Sequence, residues 1–127
     1  MFRQLVFIAA LVFGGTGLAL AQDWVAAAPA GKKVLVDNPH FRLVDITIPP
    51  GHEEPMHIHP EYVEFVIDAA RLTVTYEGKA PEAWNTERGK AYYGKGEPPH
   101  SLKNVDTRPM RMLLLELKDR PFEATSK

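Results

Sequence analysis

The stretch Gly51–Val66, GHEEPMHIHPEYVEFV, holds three histidines and four glutamates in sixteen residues. Two of the histidines, His57 and His59, stand one residue apart inside a run that otherwise reads as β-strand. Strand residues i and i+2 point to the same face, so His57 and His59 present two imidazoles side by side while Ile58 faces away. Two neutral imidazoles make half of a coordination sphere for a transition metal. An isolated His-x-His also reads as two surface histidines on an edge strand, and the residues around it decide between the two.

Glu64 follows five residues after His59, in the next strand-like run. Alternation puts Glu64, Val66 and Asp68 on one face and Val63, Phe65 and Ile67 on the other, so a carboxylate joins the imidazoles after a bend at Pro60. Asp68, two steps further on, is too far for a ligand. His100 sits after GEPP and opens HSLKNV, a run able to pair beside the first histidine strand. His52, Glu53 and Glu54 read as the solvated approach to the strand, Glu61 as loop surface and His40 as part of a turn.

Working outward, the chain breaks into short apolar-rich runs: KVLVD, HFRLVDITI, MHIH, YVEFVID, RLTVTY, KAYYG, HSLKNV and MRMLLLELK. Most are four to nine residues long and rich in Val, Leu, Ile, Thr, Tyr and Phe, which suits strands. Turn chemistry separates them, in DNP before His40, PPG at Pro49–Gly51 and YEGKAPE after the RLTVTY run. No long amphipathic helical period is present, and APEAWNTERGK reads as a loop with at most one helical turn. MRMLLLELK reads as a central strand covered on both faces. The fold class is all-β, a sandwich or small barrel in one domain.

The 127 residues carry 15 Lys and Arg against 16 Asp and Glu, without a long basic block, which points away from nucleic acid. Residues 1–21 have the pattern of a secretory signal peptide: Arg3, an apolar run from Leu5, and Ala19-Leu20-Ala21 as the cleavage signal. Cleavage after Ala21 predicts a secreted or periplasmic protein without stable membrane insertion. Residues 22–32 then form an N-terminal arm or linker, 33–120 the folded domain and 121–127 a C-terminal tail. The absence of cysteine excludes disulfides, thiolate ligands and thiol nucleophiles.

The spacing Gly51-x5-His57-x-His59-x4-Glu64 resembles the first motif of the cupin superfamily, with Arg71 where that motif closes on glycine. Gly89, His100 and Asn104 match the second motif, with Lys95 and Glu97 standing where it has proline and glycine, and Gly94 and Gly96 one residue off. The resemblance extends to PPHSLKNV and LLLELK and covers roughly Lys33–Lys118. It implies a single-domain, cupin-type jelly-roll β-barrel whose metal ligands are His57, His59, Glu64 and His100. It also implies a homodimer joined through sheet edges, and a structural role for Asn104.

Three nitrogens and one carboxylate suit a divalent transition metal, Mn, Fe, Ni or Zn, with two positions open for a small chelating organic substrate. One carboxylate on a dication leaves net positive charge, which favours an anionic or chelating ligand. The expected function is a dioxygenase-like metal enzyme, with a non-catalytic metal- or ligand-binding module as the alternative. An acid or base poised over the metal separates the two. Its candidates are Tyr62, Tyr76, Tyr92, Tyr93, Glu97 and Arg111. Trp24 and Trp84 are expected to cap the barrel end or to pack at an interface.

Overall fold

The structure, a computed structural model, describes residues 23–124. The expected signal peptide of residues 1–21, its expected cleavage site and the last three residues of the tail lie outside the described residues. A single helical turn, α1 (Trp24–Ala27), is followed by nine strands among the described residues. They are β1 (Lys32–Asp37), β2 (Phe41–Ile48), β3 (Glu53–His59), β4 (Glu61–Asp68), β5 (Arg71–Tyr76), β6 (Glu82–Asn85), β7 (Ala91–Gly94), β8 (Glu97–Asn104) and β9 (Met110–Leu117). A five-stranded sheet in the order β1-β2-β9-β4-β7 faces a four-stranded sheet in the order β3-β8-β5-β6, and every pairing is antiparallel. This is the jelly-roll arrangement of an all-β domain.

Register places the core. On the inner face of the large sheet, Ile48 pairs with Met110, Ile46 with Met112 and Val44 with Leu114, all of them buried. Val66 and Glu64 extend these rows on β4, opposite Met112 and Leu114. The next row breaks the apolar pattern: Arg42, Glu116 and Tyr62 lie abreast across β2, β9 and β4. The small sheet grades in the same way, from Asn104–Leu72–Trp84 at one end to His57–His100–Tyr76 at the other. One end of the sandwich is therefore a dry core and the other a polar chamber.

Four expectations need correction. The EAWN segment forms β6 rather than a loop, because Leu72 and Trp84 pair across to β5 and bring it into the sheet. Glu54 is no solvated approach residue: it lies in β3, is 3% exposed, and its carboxylate is ion-paired with Lys32. Asp68 does not share Glu64's face, since the register shifts between Val66 and Asp68 and leaves Asp68 exposed. The last strand, β9, is central as expected, but only its inner face is fully buried; Leu113, Leu115 and Leu117 are half-buried on the outer one.

The departures from the glycine pattern have a local reason. Gly96, with φ of +104°, lies in the turn between β7 and β8, one residue from the motif's glycine position. Arg71 needs no glycine, because no non-glycine residue among those described has positive φ. Asn104, fully buried, donates to the carbonyls of Ile48 and Arg108 and accepts from the Asp106 N–H. It joins β2, β8 and the turn into β9. Asn104→Ala leaves those three groups without partners and is expected to cost about 2–3 kcal/mol in urea unfolding; an unchanged midpoint would contradict the joint.

Candidate metal centre

His57 and His59 leave β3 toward the inter-sheet space, and β8 brings His100 directly opposite His57 in the ladder. The three side chains each offer a nitrogen within 4.8 Å of the others. Two residues of one strand and one of its neighbour share a face here, with register shifts on both sides of His57.

The other ring nitrogen of each histidine is committed. His57 Nδ1 lies 2.7 Å from the Pro55 carbonyl oxygen and His100 Nδ1 lies 2.8 Å from that of Pro98. A carbonyl only accepts, so both Nδ1 atoms carry the proton. His59 Nδ1 lies 3.0 Å from Glu116 Oε1 and donates to that carboxylate. All three Nε2 lone pairs are thereby left for a ligand, the partner pattern of metal-binding histidines. Nε2 of His57 and Nε2 of His59 are 3.1 Å apart. Two nitrogens each about 2.1 Å from one ion and at a right angle stand about 3.0 Å apart, so the spacing fits a shared cation.

Burial favours the neutral imidazole at His57 and His100. Desolvation, with the His59 ring beside it, pushes His57 down to about 3, against the pull of the Pro55 hydrogen bond. His100 is lowered mainly by burial, and Glu97 partly opposes this. Both are ligand-ready at neutral pH.

Glu116, 2% exposed, anchors the site from behind. It accepts from Trp24 Nε1 at 2.7 Å, His59 Nδ1 at 3.0 Å, and Arg42 Nε and Nη2 at 2.9 and 2.7 Å. Burial alone would raise its pKa, but the His59 hydrogen bond and the Arg42 charge outweigh it and hold the carboxyl below its usual value. Trp24 stacks on His57 at 5.3 Å and meets His59 edge-on at 5.0 Å. The expected arm residue is thus part of the chamber floor. The signal for Glu116 was present in the sequence: a charged residue continues the buried phase of Met112 and Leu114.

A cavity of about 370 Å³ opens over the three histidines, lined in part by Glu64, Glu82, Glu97, Tyr62, Tyr76 and Trp84. Glu64, 7% exposed, faces this space with no hydrogen-bond or ion-pair partner among the described residues. It does not join the three-histidine group, whose donor atoms all lie within 4.8 Å of one another. Glu97 accepts from the hydroxyls of Tyr62 at 2.9 Å and Tyr76 at 2.8 Å, and lies 3.8 Å from His100 Nε2. Gly94 makes room for this: a Cβ there would fall 2.5 Å from the Tyr62 ring.

Tyr92 also lines the cavity, in a T-shaped pair with Trp84. Tyr93 is 59% exposed and hydrogen-bonds Glu61. Arg111 lies outside, ion-paired with Asp45. His52 approaches Glu54 Oε1 at 3.2 Å, off the hydrogen-bond direction, so that oxygen accepts no hydrogen bond. His40 is an exposed partner of Asp119.

An all-β jelly roll carrying a three-histidine centre in one end defines a class of protein, and comparison with known proteins gives the family. The family model described as "Cupin domain" matches residues 44–116, and the chain belongs to that family. A cupin domain from Bordetella pertussis Tohama I shares 22% identity, covering 68% of this chain and 91% of its own, with a TM-score of 0.63. An RmlC-like cupin with a double-stranded β-helix fold from Methanocaldococcus jannaschii shares 21%, covering 68% and 77%, with a TM-score of 0.55. A protein with a double-stranded β-helix domain from Klebsiella pneumoniae shares 17%, covering 76% and 84%, with a TM-score of 0.54. At such identities these structures share the fold. No curated protein matches the sequence.

Burial and the nearby Glu97 charge push the Glu64 carboxyl up from 4.5 to about 7. A folded-state value above the unfolded one means that the folded form binds the proton more tightly. Stability is then greatest below pH 4.5 and is lost as pH rises through about 7. His57 acts oppositely: its folded value is depressed from 6.5 to about 3, so its contribution is lost as pH falls through that window. Glu64→Gln is therefore expected to stabilise the chelator-treated protein at pH 8 by about 2 kcal/mol, and by far less near pH 5. Urea titrations at both values check this; equal effects would contradict the buried, unpaired carboxyl.

Proposed function

We propose that this protein is a divalent-metal cupin enzyme of dioxygenase-like type, acting on a small chelating organic substrate. His57, His59 and His100 hold the ion, with Glu64 as the fourth donor. The observation that carries the reading is the commitment of all three Nδ1 protons, which leaves three Nε2 lone pairs converging. A bound Mn, Fe, Ni or Zn ion supplies a Lewis acid and a template for a chelating ligand.

The chain's own groups supply the rest. Glu97, steadied by two tyrosine hydroxyls, is positioned to take a proton from a substrate hydroxyl. Ile46, Leu114 and Trp84 on the cavity wall exclude water from the reacting end. A binding module that turns nothing over has no need of a carboxylate held by two tyrosine hydroxyls beside its ligand, and this favours the enzyme reading. Export belongs to the same reading, from residues 1–21; mature protein beginning at Gln22 supports it, and one beginning at Met1 overturns it.

Protein purified without a histidine tag should carry about one transition-metal ion per chain, lost in His57→Ala and His100→Ala. Stoichiometric metal surviving both substitutions would sink the assignment. Glu116→Gln should weaken metal affinity by about 10- to 100-fold, as removal of a ligand-orienting partner does. With metal loaded, oxygen uptake on 1,2-dicarbonyl, enediol or catechol-type compounds tests turnover. Uptake with none of them moves the reading to the binding module.

A further inference from the structure

The charges around the cavity reverse the preference that a single carboxylate implied. Four glutamates line it, Glu54, Glu64, Glu82 and Glu97, and no Lys or Arg does. Glu54 is neutralised by Lys32, as Glu116 is by Arg42 behind the histidines. Glu64, Glu82 and Glu97 have no Lys or Arg partner among the described residues. Glu82 and Glu97, with Glu64 ionised as the fourth donor, outweigh the two positive charges of a divalent ion, so the chamber stays negative when loaded. Low-dielectric walls strengthen that field.

The carboxylates are not the only indication of a ligand. Glu64 is buried, unpartnered and faces the space. Glu82 stands exposed on β6, beside the T-shaped pair of Trp84 and Tyr92, whose centroids are 6.0 Å apart. Tyr76 adds a third ring to the cavity wall. Aromatic faces next to carboxylates recognise organic ammonium groups. The rings already take such contacts from outside: Lys79 lies 5.7 Å from the Tyr76 centroid and Lys90 lies 5.7 Å from that of Tyr92, though neither lysine lines the cavity.

We infer that the cavity selects a small organic cation, an amine protonated at neutral pH, with its ammonium held by Glu82 and Glu97 among Trp84, Tyr92 and Tyr76. A chelating end on the same molecule would meet the histidines; only that half of the inference rests on the proposed metal function. Carboxylate-bearing ligands of the same shape are disfavoured.

Matched probes test charge and metal separately. Calorimetric titration of metal-free protein with 2-phenylethylamine and with 3-phenylpropionate reads charge preference alone. The amine should bind about ten-fold more tightly or better, a difference of about 1.4 kcal/mol. Equal affinities, a carboxylate preference, or no measurable binding by either overturns the inference. Zinc-loaded protein is then titrated with 3,4-dihydroxyphenethylamine and 3-(3,4-dihydroxyphenyl)propionate. Catechols that bind without an amine preference overturn the charge inference while leaving the metal centre standing. Amine preference in protein that takes up no zinc supports the charge inference and overturns the metal reading. Glu82→Gln and Glu97→Gln should each reduce the preference; if it is unchanged in both, the assignment of the ammonium position is wrong.

Discussion

The Glu116 carboxylate accepts four donors in the interior: the Trp24 indole, the His59 ring and two nitrogens of Arg42. A buried carboxylate costs several kcal/mol unless it is paired and fully hydrogen-bonded, and here both oxygens are satisfied. The three donating residues come from different places, α1, β3 and β2, with the acceptor on β9. The one group therefore ties the N-terminal arm, the histidine strand and the large sheet together. It also fixes which nitrogen of His59 faces the cavity. The Arg42 guanidinium continues outward to Asp23, which caps α1 and so secures the arm that carries Trp24.

The same economy runs through the register. The two sheets are apolar at the Ile48–Met110 end and polar at the Arg42–Glu116–Tyr62 end, and the change occurs across one row of the ladder. The dry end supplies the core. The polar end gathers groups whose burial alters their chemistry: the His57 and His100 imidazoles kept neutral, a Glu64 carboxyl raised to about 7, and a Tyr76 hydroxyl raised to about 12. Perturbed groups converging in a cavity mark a functional site on physical grounds. The negative balance of that cavity then bears on what enters it.

Much of this was legible in the sequence. The short alternating runs gave the all-β class, and His-x-His with a distant His100 gave two strands that had to lie side by side, as β3 and β8 do. Alternation put Glu64 on the face of Val66, and in the structure that face is the inward one. Other features were less visible because they depend on tertiary partners. EAWN is too short and polar to read as a strand until Leu72 and Trp84 meet. Glu54 reads as solvated until Lys32 arrives from β1. Asp68 obeys alternation on paper, and a register shift removes it. Glu97 stood out as a departure from a glycine position and as one of six acid–base candidates, and in space it is the carboxylate shared by two tyrosines.

The central claim is that three imidazoles, oriented by Pro55, Pro98 and Glu116, hold one metal ion. X-ray absorption at the edge of the metal in the purified protein tests it most directly. The expected first sphere contains three imidazole nitrogens at about 2.0–2.1 Å for zinc, with oxygen in the remaining positions. A sphere of oxygen alone, or with a single imidazole, would contradict the account.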